Sequence, residues 1–206
     1  MSGRCLIVGA GDVTSRGLRP RPGDLLIAAD AGLLALRALG LRPHLVVGDM
    51  DSMQGPVQGL PLLRFPIRKD DTDLALAVRA GRGLGYRRFV LYGASGGERE
   101  DHFIAALQLM AGLSQQGLRV RLVAPRFRVE ALHDGSLLIP TRPGTTVSVF
   151  SHSAQSLGVS LQGLDYAADD LTLLSGQPLG VSNRALHRSA LIGVRQGTLL
   201  IFVAEG

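Results

Sequence analysis

Short apolar runs alternate with helical patterns over the first 125 residues of the chain. Each apolar run stops at or near Gly, Asp or Pro, which is typical of a short buried strand. The predicted strands are residues 5–8, 25–29, 45–47, 89–91 and 119–123. Helical composition and N-cap residues predict helices over residues 31–39, 73–82 and 101–113. Strands that alternate with helices predict a mostly parallel sheet that is covered by helices on both faces.

The pattern changes after Pro125, where short strands follow one another without helices. These strands are predicted at residues 128–133, 137–139, 145–150, 159–161, 171–174, 190–195 and 198–203. Gln196-Gly197 predicts a hairpin turn between the last two of them. We therefore expect an α/β fold followed by an all-β fold: a mostly parallel α/β sheet domain, residues 1–125, and a small antiparallel β-sandwich domain, residues 126–206.

Composition excludes two broad classes of protein. The chain has 206 residues, 46% of them hydrophobic, and a mean hydropathy of +0.22, which is too apolar for a disordered chain. No apolar run reaches about 18 residues, so no transmembrane helix is expected. The first apolar run is too short for the core of a signal peptide, and the single cysteine, Cys5, cannot form an internal disulfide. We expect a cytoplasmic protein with no membrane partner.

The net charge of +5 permits binding to nucleic acid, but its distribution argues against it. The arginines are scattered singly or in pairs along the chain. Aromatic residues make up 4% of the chain and tryptophan is missing from it, so the interleaved aromatic and basic residues of single-strand binders do not occur. We predict no nucleic-acid partner.

Acidic residues follow the predicted strands and start a predicted helix. They are Asp12, Asp30, Asp49, Asp51, Asp70 and Asp73. Because ligands bind outside the carboxyl ends of parallel strands, these carboxylates are expected around one crevice. Their mutual repulsion requires a neutralising cation. Hard oxygen ligands without Cys or His favour Mg²⁺, which carboxylates hold together with phosphate oxygens.

Each group taken singly has a simpler explanation. Asp30 or Asp70 could cap a helix, and residues 48–52 could form a turn before a capped helix. Glycines within residues 93–97 could form a flexible loop, although they also let backbone N–H groups approach a phosphate. Gly9-Ala10-Gly11 lacks the third glycine of the dinucleotide fingerprint, and the chain contains no P-loop sequence. Together the groups favour a metal–phosphate site of another arrangement.

Two short motifs in the first part of the chain are Gly48-Asp49-Met50-Asp51-Ser52 and Lys69-Asp70-Asp71-Thr72-Asp73. They resemble the G-D-x-D-S and K-D-x-T-D motifs of the thiamine pyrophosphokinase family, and further motifs follow in the family's order. Residues 96–102 are similar to its glycine-rich R-x-D-H segment. Later, Gly163-Leu164-Asp165-Tyr166 and Gly180-Val181-Ser182-Asn183 resemble its G-L-x-(W/Y) and G-V-S-N segments. The motifs span nearly the whole chain.

The resemblance implies the same two-part fold, a homodimer, and Mg²⁺-dependent transfer of the pyrophosphoryl group of ATP to the hydroxyl of thiamine. It implies that four carboxylates hold Mg²⁺ and the triphosphate, with Asp30 close by: Asp49, Asp51, Asp73 and Asp101. The other ATP-binding residues it implies are Asp70, Thr72, Gly96, Gly97, Arg99 and His102. Tyr166, Ser182 and Asn183 would contact thiamine near the subunit interface. Tyr166 could equally be a core residue of the sandwich, and the general base is left open.

Some positions depart from the family pattern, and two of them bear on the identity of the acceptor. Leu34 and Ala106 stand where the family commonly has asparagine. These departures leave two alternatives to thiamine pyrophosphokinase: a related diphosphotransferase acting on a pterin alcohol, and a non-catalytic regulator that binds a nucleotide or thiamine. The retained acidic groups argue against a regulator, since simple binding does not need them. The segment Gly180–Asn183 favours thiamine as the acceptor.

Overall fold

The computed structural model describes residues 3–48, 59–65, 71–97 and 99–205. Its helices are α1 (Gly32–Ala38), α2 (Asp73–Gly83) and α3 (Glu100–Gln115). Its strands are β1 (Cys5–Val8), β2 (Leu25–Ala29), β3 (Leu45–Gly48), β4 (Leu62–Arg64), β5 (Arg88–Tyr92), β6 (Arg119–Val123), β7 (Phe127–Pro140), β8 (Thr146–Ser151), β9 (Gln155–Gln162), β10 (Ala168–Leu174), β11 (Asn183–Arg184) and β12 (Ser189–Ala204). The three predicted helices are confirmed, with ends that agree within two residues.

The chain divides into two compact units, residues 1–109 with 122–125, and residues 110–121 with 126–206. The sheet is mixed, parallel in the first unit and antiparallel in the second, and few helices accompany it. Within the described part of the chain, each helix is too short or too polar to cross a membrane.

Four parallel pairings build the sheet of the first unit. β1 pairs with β2 and β5, β2 with β3, and β3 with β4, so the strand order is β5-β1-β2-β3-β4. Every residue of β1 and β2 is buried, because both faces of these strands are covered. Strand β4 was not predicted, since its three residues are all exposed and too few to show a period.

Helices α1 and α2 pack on this parallel sheet. α1 contacts β1 and β2, and α2 contacts β1, β2 and β3. Leu33 and Leu36 of α1 are fully buried in a core with Leu6 and Leu26. At the start of α1 the packing is closest: a Cβ placed on Gly32 would lie 1.9 Å from the Val8 carbonyl oxygen. The absence of a side chain at Gly32 therefore allows the start of α1 to lie directly against the carboxyl end of β1.

In the second unit, β12 is the shared partner of three strands. It pairs antiparallel with β7, β8 and β9, while β10 pairs with β9 and β11 pairs with β8. The core of this unit is built from alternating apolar residues of these strands. It includes Val147, Val149, Val159, Leu161, Ile192, Leu199, Ile201 and Val203.

The predicted hairpin turn at Gln196-Gly197 is wrong. Both residues lie inside β12, whose two halves pair with the same strand, β7. The register runs from Val194 opposite Gly135 to Thr198 opposite His133, so three residues of β12 bulge opposite Asp134. The Asp134 carboxylate accepts the Gly197 N–H at 2.7 Å, and Gly197 has φ +122°. A glycine with positive φ serves a bulge as well as a turn, which explains the error.

Candidate active site

Two glycine-rich loops meet where β1 and β5 end. The N–H groups of Gly9 and Gly11 donate to the carbonyls of Tyr92 and Gly93, each at 2.8 Å. The Asp12 N–H donates to the Ser95 carbonyl at the same distance. The loops therefore run side by side beyond the sheet.

These contacts leave no room for larger residues. A Cβ on Gly11 would lie 2.5 Å from the Ser95 oxygen, and one on Gly96 would lie 2.2 Å from Asp12 Oδ2. Gly96 and Gly97 also have positive φ, +73° and +78°. The predicted phosphate-binding loop thus has a backbone that only glycine adopts readily.

The strand order reverses at this edge. From β1 the chain proceeds to β2, β3 and β4 on one side, and it returns to β5 on the other side of β1. In open parallel sheets, the crevice at such a reversal is where ligands bind. The loops after β1 and β5 therefore mark the candidate active site.

Asp30 follows β2 at the same edge. It has φ +47°, a left-handed conformation that Asp tolerates, and its N–H donates to the Val47 carbonyl at 2.8 Å. Its Oδ1 is buried and has no hydrogen-bond partner among the described residues. Because an unpartnered buried carboxylate oxygen is costly, this atom is suited to a cation or to a donor from a ligand.

Asp73 is the first residue of α2, and the packing of this helix shows at which edge of the sheet Asp73 lies. Near the other end of α2, a Cβ on Gly81 would lie 2.7 Å from Cys5 Sγ and 3.1 Å from the Phe89 ring. Cys5 and Phe89 are at the amino ends of β1 and β5. A helix of this length spans roughly 16 Å, about the length of a strand, so Asp73 lies at the carboxyl edge. Thr72 caps the helix, since its Oγ1 accepts the Ala75 N–H at 3.2 Å.

Arg99 and Asp101 form an ion pair at the start of α3. Arg99 Nε donates to Asp101 Oδ1 at 3.0 Å and Nη2 donates to Oδ2 at 2.7 Å. The hydrogen bonds from Arg99 hold the pKa of Asp101 down at about 2. Both side chains are mostly exposed, 65% for Arg99 and 64% for Asp101. Asp101 is therefore ionised at neutral pH and open to a ligand, and His102 follows it on the exposed surface of the helix.

We expect Arg99→Met to raise the pKa of Asp101 from about 2 toward its ordinary value of 3.8. Because the pKa of Asp101 is lower in the folded protein than its ordinary value, the ion pair stabilises the fold at pH values above 3.8. This contribution is lost as the pH falls toward 2. The variant loses that acid-sensitive contribution. Carboxyl-carbon NMR titration measures the pKa, and Arg79→Met, which removes a guanidinium paired with Asp71, should leave it unchanged. An unchanged Asp101 pKa in Arg99→Met would show that the pair does not persist in solution.

The three predicted thiamine-binding residues lie in the second unit. Tyr166 is 74% exposed, so it is not a core residue of this unit. Ser182 is exposed and has φ +61°, and its N–H donates to Ser148 Oγ at 3.0 Å. Asn183 is 4% exposed, and its amide is bonded to the backbone of Tyr166. The support that Ser148 gives to the backbone of Ser182 was not predicted, because an isolated serine within an alternating strand carries no signal.

Three predicted site residues, Asp49, Asp51 and Asp70, lie outside the described residues. Over residues 3–48, 59–65, 71–97 and 99–205, no three Asp, Glu, His or Cys side chains are grouped closely enough to hold a metal ion. The two departures from the family pattern differ in their surroundings, since Leu34 is 45% exposed and Ala106 is buried. The roles of the predicted metal ligands thus stay predictions.

The chain is similar to known proteins over most of its length. Residues 21–122 match the family model described as thiamin pyrophosphokinase, catalytic domain. The thiamine pyrophosphokinase of Bacillus subtilis (strain 168) is 24% identical over 184 residues, which cover 86% of each chain.

Solved structures show the same fold. The crystal structure of the Bacillus subtilis thiamine pyrophosphokinase has a TM-score of 0.88 at 21% identity, and the alignment covers 98% of this chain and 99% of that one. The thiamin pyrophosphokinase of Geobacillus thermodenitrificans has a TM-score of 0.85 at 21% identity, covering 98% of each chain.

The match to a catalytic-domain model and the similarity to a thiamine pyrophosphokinase indicate an enzyme of the class of pyrophosphate-transferring kinases. More specifically, the family model, the relative and the solved structures all indicate the thiamine pyrophosphokinase family. The family resemblance and the enzyme class predicted from the motifs are therefore confirmed.

Proposed function

We propose that this chain transfers the pyrophosphoryl group of ATP to thiamine, yielding thiamine diphosphate and AMP. The hydroxyl oxygen of thiamine attacks the β-phosphorus of ATP, and a new phosphorus–oxygen bond forms. The bond from the β-phosphorus to the oxygen that bridges it to the α-phosphorus breaks, and AMP leaves with the electron pair of that bond. The hydroxyl proton is released to solvent. The observation that carries this proposal is the gathering of Asp30, Asp73 and two glycine-rich loops at one carboxyl edge.

At this edge, Asp30 is suited to a divalent cation. The buried and unpartnered Oδ1 of Asp30 is a hard oxygen without a proton donor, as a Mg²⁺ ligand requires. We propose that Asp49, Asp51, Asp73 and Asp101 hold Mg²⁺, with Asp30 beside them. When bound, Mg²⁺ would neutralise charge on the phosphates. The carboxylates would hold the cation in place. They would thereby determine where the negative charge of the triphosphate is neutralised.

The phosphates would be bound mainly by backbone and by arginine. Gly96 and Gly97 allow N–H groups of the loop to approach phosphate oxygens. The guanidinium of Arg99 is suited to two parallel hydrogen bonds, and Asp101 already receives such a pair. Thr72 contributes by capping α2, whose N-terminal dipole favours negative charge. Asp70 and His102 complete the proposed ATP-binding set.

The acceptor would bind to the second domain. We propose an α/β domain, residues 1–125, followed by a β-sandwich domain, residues 126–206, that carries Tyr166 and Ser182. We also propose a cytoplasmic homodimer with the acceptor site near the subunit interface, and no nucleic-acid or membrane partner. The exposed ring of Tyr166 is available to stack on a flat heteroaromatic ring. A pterin alcohol as the acceptor is not favoured, because the matching family model and the Bacillus subtilis relative are both named for thiamine.

The test is AMP release from ATP and Mg²⁺, with and without thiamine, with the thiamine product identified by its mass. We expect AMP and thiamine diphosphate in equal amounts, and both should disappear when EDTA is added. Thiamine binding without AMP would contradict the enzyme and leave a binder. AMP formation only with a pterin alcohol would contradict thiamine as the acceptor.

A further inference from the structure

We propose that Asn183 is a positioning residue, which holds Tyr166 in place for the acceptor and does not itself contact the acceptor. This inference rests on the proposed function, in which Tyr166 packs on thiamine. It changes the role that the family resemblance implies for Asn183, that of a direct ligand.

The amide of Asn183 makes three of its four possible hydrogen bonds within the protein. Its Oδ1 accepts the N–H of Tyr166 at 2.9 Å and that of Arg184 at 2.8 Å, while its Nδ2 donates to the Tyr166 carbonyl at 2.8 Å. The side chain is thus paired with both backbone groups of Tyr166, as a neighbouring strand would be. With Asn183 only 4% exposed, little of its amide is left for a ligand.

Tyr166 needs such support because its side chain has little packing. Tyr166 is 74% exposed, so few contacts with the rest of the unit fix the direction of its ring. Holding the backbone of Tyr166 at both its N–H and its carbonyl restricts where the ring can be presented. A ring that is positioned before binding loses less conformational freedom when the acceptor stacks on it.

Only asparagine fits this role at position 183. The contact requires a donor and an acceptor on one short planar group. Aspartate has nearly the same shape but presents two acceptors, so the Tyr166 carbonyl would face a buried charge. Asn183 is also the sole asparagine among the 206 residues, which makes its side-chain amide directly observable.

Two measurements on the apo protein test the contact without any activity. Labelling with asparagine that carries ¹⁵N in its side chain should give one pair of NH₂ signals in the NMR spectrum. Exchange of the amide hydrogens with solvent should be slowed by the hydrogen bond to Tyr166. In Asn183→Asp, acrylamide quenching of tyrosine fluorescence should change, because Tyr92 is buried and Tyr166 is the most exposed of the three tyrosines. A freely exchanging NH₂ pair, or unchanged quenching, would overturn the inference.

Kinetics distinguish positioning from direct contact. We expect Asn183→Asp to raise the KM for thiamine about ten- to a hundredfold, with kcat and the KM for ATP nearly unchanged. The matched control is Gln162→Glu, the same amide-to-acid change at an exposed site, which should leave all three constants unchanged. A variant that unfolds at lower temperature but keeps its KM would reduce Asn183 to a structural residue and overturn the inference.

A double-mutant cycle with Tyr166→Ala completes the test. If Asn183 acts through Tyr166, adding Asn183→Asp to Tyr166→Ala should change the KM for thiamine by less than about twofold. Additive effects would show that Asn183 contacts the acceptor independently. If the wild-type protein does not convert thiamine at all, the proposed function fails, while the NMR and quenching results still decide the contact between Asn183 and Tyr166.

Discussion

Replacing Asp73 by Asn is expected to lower kcat for AMP formation by about 10²–10³-fold while the protein stays folded. Asparagine keeps the shape of the side chain but removes the charge that the proposed Mg²⁺–triphosphate site requires. The loss of one acidic residue from the first turn of α2 should cost only about 0.3–1 kcal/mol of stability. Steady-state kinetics at saturating Mg²⁺ and thermal unfolding measure the two effects separately.

The chain offers a matched control two residues away. Asp71 pairs with Arg79 on the surface, and such exposed pairs contribute little to stability. Asp71→Asn therefore removes the same charge from the same motif without touching the proposed site, and kcat should stay within about twofold of wild type. If the two variants have equal activity, Asp73 is not a metal or phosphate ligand.

Replacing Gly32 by Ala is expected to destabilise the first unit by about 3 kcal/mol. The new Cβ would lie 1.9 Å from the Val8 oxygen and 2.9 Å from the Gly9 oxygen, and both are backbone atoms that cannot rotate away. The start of α1 must then move off β1, and Asp30 two residues earlier must move with it. Urea unfolding measures the stability, and kcat should fall as well.

Gly83→Ala is the control for this change. Gly83 is also helical, but a Cβ placed there meets no atom within 4 Å. Alanine should therefore stabilise α2 by roughly 0.5–1 kcal/mol. A Gly32→Ala protein as stable as wild type would show that α1 does not pack against β1 as closely as described.

The elements of the first unit other than β4 were predictable because the signal of each is local. A fully buried strand such as β1 is an apolar run with a glycine directly after it, and α2 begins at a threonine that caps it. The candidate site followed from the same signals, since carboxylates and glycines come directly after those strands. Parallel pairing then brings residues that are distant in sequence, such as Asp12 and Ser95, to one edge.

The errors come from contacts that no local pattern encodes. Gln196-Gly197 resembles a turn, and only the pairing of both flanking segments with β7 shows that it is a bulge. Alternation along the chain could not decide whether Tyr166 is buried or exposed. The role of Asn183 depends on hydrogen bonds across 17 residues to one backbone, which the amino-acid types do not reveal.

The central place of β12 sets the order in which the antiparallel unit can assemble during synthesis. β7, β8 and β9 emerge first, but the partner that all three share is made after them. Until then, their edges present unpaired N–H and carbonyl groups to other chains. A nascent chain is therefore open to aggregation over this interval, and its second unit completes folding only after residues 189–204 have been translated.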